Sequence, residues 1–327
     1  VMVKEWLKKN WLYAILIVAA LIVPLFVPNR YTFQVVIMCC LMAVGALSFN
    51  LLLGFTGQAS LAHGAFFGIG AYGASLLTIN LGWSFWIALP VGAAISALIG
   101  MIVGIPTLRT RGAYFAIATM CLGEIITLIA GNWMELTGGH NGLIGIPTPT
   151  PINIPGIVNI SFDNQTAQYY LVLLFLLLVI FFMRRLVYSL KGLTFMAIRN
   201  NELLAEAVGI NTFQTKLLSF VVSTFIVGLA GGIYASLIGS ISPSVASLKV
   251  TFDFLLMTLL GGMATLAGPI IGAFGLLVLM EYLQFLQEYQ MIIFGALLVV
   301  VIVYFPRGFF GAYLKFKEKM KWKKAGM

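Results

Sequence analysis

The chain has 327 residues, of which 61% are hydrophobic and 9% charged, and its net charge is +9. An ordinary soluble domain is about half apolar and about 25% charged, so this sequence has too few charges to cover a surface in water. The composition excludes a disordered chain, a disulfide scaffold and a secreted enzyme, and points to an all-α polytopic membrane protein.

A helix crosses the hydrocarbon core with about 20 apolar residues, and shorter pieces serve where protein covers them. Apolar runs predict about ten transmembrane helices, near 11–28, 33–53, 61–80, 84–104, 113–132, 168–184, 215–238, 252–266, 269–286 and 290–306. The first follows Lys4, Lys8 and Lys9 as a signal peptide would, but it has no small-x-small cleavage site and reads as a retained span. Residues 252–286 as one helix would run about 52 Å, against a core of about 30 Å. Gly268-Pro269 divides them, because proline breaks a helix and restricts the residue before it.

With the N-terminus inside, alternation places seventeen of the nineteen basic residues on the cytoplasmic side and leaves only Arg30 and Lys249 outside. That is the positive-inside distribution, and it puts both termini in the cytoplasm. The chain then divides into an interfacial segment 1–10, a transmembrane domain 11–306 and a basic tail 307–327. Within the membrane domain, residues 133–168 form an external loop stiffened by Pro147, Pro149, Pro151 and Pro155, and 184–216 form a cytoplasmic loop. The tail alternates lysine with Phe, Met and Trp, which suits the anionic inner leaflet and not nucleic acid.

Gly57–Gly68 (GQASLAHGAFFG) is similar to Gly262–Gly272 (GMATLAGPIIG), with His63 extra in the first copy. This is a possible internal repeat, and repeats in transporters flank the substrate path. Thr56, Gln58, Ser60 and His63 lie where the first copy interrupts the helices, so they are candidates to line that path. Glu124 is a carboxylate inside a span, where charge is costly and tends to be functional. It either lines the path or is a structural carboxyl bonded to a neighbouring helix. Asp253 and Glu281 fall near span ends.

Cys39, Cys40 and Cys121 sit in apolar runs and read as small core residues. Neither they nor His63 and His140 form a metal-spaced cluster or a nucleophilic triad, so no metal site, cofactor or catalytic residue is expected.

The cytoplasmic loop carries a short helix, Glu202–Val208. Asn201 caps it, Glu202 favours its N-terminus, and Gly209 closes it in a left-handed conformation. Leu203, Leu204, Ala207 and Val208 make one apolar side. Such a face either lies on the membrane surface or docks into a groove on another protein. Around it, Ala205 and Glu206 complete the sequence ELLAEAVG of residues 202–209.

Glu206-Ala-Val-Gly209 resembles the Glu-Ala-Ala…Gly element of ABC importer permeases; Ala207 matches the family's first alanine and Val208 departs from its second. Residues 50–72, Leu108–Thr119, Gly123-Glu-Ile125, Asn132-Trp133 with Leu136-Thr-Gly-Gly139, Gly261–Pro269 and Phe305-Pro-Arg-Gly308 are similar to the LivM-type permease subunit of branched-chain amino-acid importers. The likeness runs from about residue 33 to 311.

The resemblance implies a transport subunit of a bacterial or archaeal cytoplasmic membrane, not an enzyme. Its implied partners are a second, LivH-type permease, two cytoplasmic ATPase chains and an extracytoplasmic solute-binding protein. ATP and magnesium would sit on the ATPases, consistent with the lack of a Gly-x-x-x-x-Gly-Lys-Ser/Thr phosphate loop in this chain. Residues 202–209 would be the ATPase-coupling element. Permeases for urea and short amides share much of the pattern, which leaves leucine, isoleucine and valine against those substrates open. An ion-coupled secondary carrier, the rival from another class, needs a cluster of intramembrane carboxylates that the sequence lacks.

Overall fold

A computed structural model describes residues 20–24, 29–154 and 158–283, with single positions between 289 and 299. Most of the first and last expected spans, and the whole of 1–10 and 307–327, lie outside the described residues.

Among the described residues, six helical stretches are long and apolar enough to cross a membrane. Helix α1 (Arg30–Asn50) starts at Asn29, whose side chain accepts the Tyr31 N–H, and runs on into a π-helical segment, Leu51–Thr56. Then follow α2 (His63–Leu81), α3 (Phe85–Thr107) and α4 (Ala113–Asn132). After a short α5 (Met134–Thr137) comes α6 (Gln165–Val187), capped by Asn164. Helices α7 (Leu190–Asn200) and α8 (Glu202–Ala207) form the loop to α9 (Thr212–Ile238). Two shorter helices follow, α10 (Leu248–Gly261) and α11 (Gly268–Tyr282).

The expected division at Gly268-Pro269 is present: α10 has 14 residues, α11 has 15, and the proline sits in the first turn of α11. Each covers about 21–23 Å, less than the hydrocarbon core, so neither spans it alone as a straight helix. Span 33–53 extends to Thr56 because the chain widens into π-helical turns before breaking.

Helices α1, α2, α3 and α9 form the centre of the bundle. Lipid gives helices no hydrophobic reason to associate, so close backbone approach holds them. Gly70 shows how close: a Cβ there would collide with the backbone of Gly228 on α9. Ser96 ties α2, α3 and α9 by donating to the carbonyls of Phe66 and Thr224 at 2.9 and 3.0 Å.

The loop between α4 and α6 contains more pairing than its prolines suggest. Strand β1 (Leu143–Ile144) pairs antiparallel with β4 (Ser240–Ile241), and β2 (Ile152–Ile154) pairs with β3 (Val158–Ile160). Strands of two or three residues are too short to leave a period in sequence.

Candidate coupling site and helix breaks

The two sequences proposed as repeats are the two places where long helices break, and the fold brings them together. The first break begins at Gly57, in the left-handed region at φ 79°. Asn50, fully buried, reaches the second break: its amide donates to the Thr265 carbonyl at 2.8 Å and its Oδ1 accepts the Ala264 N–H at 3.0 Å. Ala264 is held at φ 58°, a conformation L-residues avoid. A single asparagine thus satisfies backbone groups that the broken helix leaves unpaired.

Beyond the first break, Ser60 and His63 are fully buried. The His63 Nε2 lies 2.9 Å from Ser48 Oγ and 3.3 Å from Ser223 Oγ, and the ring stands edge-on to Phe49 and Phe254. It therefore joins α1, α2, α9 and α10 at the core. Thr56 is also buried, and its hydroxyl donates to the Leu51 carbonyl at 3.0 Å.

At the end of the bundle that collects Arg111, Arg199 and Lys216, the loop folds much as its residues dictate. Asn201 Oδ1 accepts the Leu204 N–H at 3.0 Å, α8 runs from Glu202 to Ala207, and Gly209 follows at φ 88°. Asn211 caps α9 in the same way, accepting from Gln214 N–H. The side of α8 facing the bundle is Ala205, only 3% exposed, while Leu203, Leu204 and Val208 are 64–70% exposed. The small residue allows close docking, and the leucines are left without cover in this chain.

Three ion pairs pin α8. Lys216 Nζ lies 2.5 Å from Glu202 Oε1, with the lysine side chain 5% exposed. Arg111, on the turn between α3 and α4, approaches Glu202 at 3.6 Å and Glu206 at 3.7 Å. The Thr212 hydroxyl donates to Glu206 at 2.7 Å. The Lys216–Glu202 pair, with its lysine buried and its glutamate partly exposed, is the tight contact; the Arg111 contacts are long and exposed, and contribute little beyond orientation.

A cavity of about 270 Å³ opens above this network, lined by Thr56, Gln58, Arg111, Phe115, Arg199 and Glu202 among others. The first helix break and the root of α8 therefore share one wall. Gly57 lies directly beneath Arg199 of α7, so close that a Cβ would come within 3.0 Å of the arginine side chain. Thr56, Gln58 and Glu202, three candidates singled out from sequence, meet here. Ser60 and His63 lie deeper in the core, and Glu124 projects from the outer face of α4. Lys216, Arg111 and Arg199 were not singled out in sequence, where they read as ordinary basic loop residues.

Among the described residues, no group of three His, Cys, Asp or Glu side chains is placed to hold a metal ion. The family model for the permease component of the branched-chain amino-acid transport system matches residues 31–302. This chain belongs to that permease family. It is 30% identical to the LivM high-affinity branched-chain amino-acid transport permease of Salmonella typhimurium over 318 residues, covering 92% of this chain and 74% of that one. The Escherichia coli LivM protein matches to the same extent. Escherichia coli LivH is 26% identical over 288 residues, covering 82% of this chain and 91% of its own. No solved structure matches. The homologues are permease subunits of transporters, and the six long apolar helices fit a multi-pass membrane protein.

Proposed function

We propose that this permease is one membrane half of an ATP-driven importer for branched-chain amino acids. A LivH-type permease forms the other half, two cytoplasmic ATPases bind ATP and magnesium, and an extracytoplasmic binding protein delivers the substrate. The chain crosses the cytoplasmic membrane several times with both termini inside. This places the end bearing Arg111 and Lys216 in the cytoplasm, as the distribution of basic residues requires.

The observation that carries the reading is α8: a short helix with two exposed leucines, fixed at its base by a desolvated ion pair. Apolar side chains presented this way fit a groove on another protein. When ATP draws the ATPases together, α8 moves with them. The Lys216–Glu202 contact passes that movement to α9, and the contact of Arg199 over Gly57 passes it to the first helix break. Thr56 and Gln58 at that break stand at the inner end of the path, while His63 holds its helices in register.

Disulfide trapping tests this directly. With Leu204→Cys in the assembled importer, single cysteines along the ATPase groove should cross-link to it, at a yield that changes between the nucleotide-free and ATP-bound states. Failure to form any such cross-link, with position 204 protected by lipid instead, would contradict the coupling role.

A further inference from the structure

Of the six long helices, α4 buries least: 22% of its most apolar window, against 39–78% for the others. Its exposed residues recur at helical spacing: Tyr114, Ile117, Cys121, Glu124, Leu128 and Asn132 make one stripe, with the exposed Ile125 and Ile129 beside it. The comparable stripes on α3 and α6 have a different chemistry. On α3, Ile87, Ile95, Leu98 and Ile102 are exposed; on α6, Leu174, Leu178 and Phe181 are, with nothing ionisable between the helix ends. Those two faces suit lipid.

The α4 face does not. Glu124 is the twelfth of its twenty residues, near the middle of the span. It pairs with no cation among the described residues. A carboxylate there needs water or a charged partner. The opposite side of α4 is fixed to the first helix break: the Leu61 N–H donates to Thr119 Oγ1 at 3.0 Å, and Gly123 packs on Ala62. Movement of the break therefore carries the stripe with it.

We infer that the exposed stripe of α4 is a wall of the water-filled substrate path, and that Glu124 meets the ammonium group of the passing amino acid. The inference rests on the importer reading and adds the helix face, the contact residue and the substrate group. The charges are complementary: a zwitterion crossing the midplane carries a cation that needs an acceptor, and Glu124 is a carboxylate at that depth.

Cys121 is a built-in reporter, one helical turn from Glu124 and exposed, whereas Cys39 and Cys40 are buried. In the assembled importer in proteoliposomes, a charged, water-soluble methanethiosulfonate should modify Cys121. Leucine-loaded binding protein should slow that reaction, and Cys121→Ala should abolish it. Glu124→Gln should raise the KM for leucine about tenfold, the loss expected for one charge-assisted contact, and Glu124→Asp should restore most of it. Reaction only with a lipid-soluble maleimide would make the stripe a lipid face. Reaction with neither reagent would make it a dry protein contact. Either result overturns the inference. Absence of ATP-driven uptake by the unmodified importer would instead overturn the importer reading, since the labelling reports water access whether or not transport occurs.

Discussion

Leu204→Glu should abolish ATP-driven uptake while leaving the permease folded and in the membrane. Leu204 is 64% exposed and makes no core contact, so the substitution costs the isolated chain little. In the proposed importer the same side chain would enter a groove on the ATPase. A carboxylate there is buried without a partner. Interface anchors are worth about 2 kcal/mol or more, which is about 30-fold in affinity. The expected result is at least that loss in uptake, with ATPase activity no longer responding to loaded binding protein. Normal uptake together with normal membrane yield would show that α8 does not dock.

Lys216→Met should both destabilise the permease and uncouple it. The substitution keeps the aliphatic stem and removes the ammonium, leaving Glu202 facing a desolvated site. Breaking a fully buried pair costs about 3–5 kcal/mol. Glu202 is 24% exposed and retains a long contact with Arg111, so a loss nearer 1–3 kcal/mol is expected, discounted for screening by water. It would be seen as a lower melting temperature in detergent. Adding Glu202→Gln removes the orphaned charge and should recover most of the stability. Coupling should stay lost in the double variant, because the charged link between α8 and α9 is gone and only the Thr212–Glu206 hydrogen bond remains. If the double variant regains both stability and uptake, the pair is a packing feature only.

The long spans were legible because each is set by a run of apolar residues, and α4 was expected at the boundaries it has, 113–132. The caps of α8 were legible for the same local reason: Asn201 and Gly209 each act within one turn of their own position. Lys216 was not legible. A lysine after a basic loop reads as a solvated charge, and only the docking of α8 across the start of α9 buries it. The clamp at Asn50 was hidden too, since its partners Ala264 and Thr265 are more than two hundred residues away.

For the candidate residues, sequence located the breaks but not the directions. Thr56, Gln58, Ser60 and His63 fall within eight positions, yet two line a cavity and two enter the core. That difference is set by which helices pack beside the break. Glu124 was placed inside a span correctly, and its outward direction follows from Thr119 and Gly123 taking the inner face.

The decisive measurement is leucine uptake into sealed proteoliposomes containing this permease, its partner permease and the binding protein, with and without the two ATPases. Concentrative, ATP-dependent uptake is expected only when the ATPases are present on the face that carries α8. Substantial concentrative uptake by the permeases alone would contradict it.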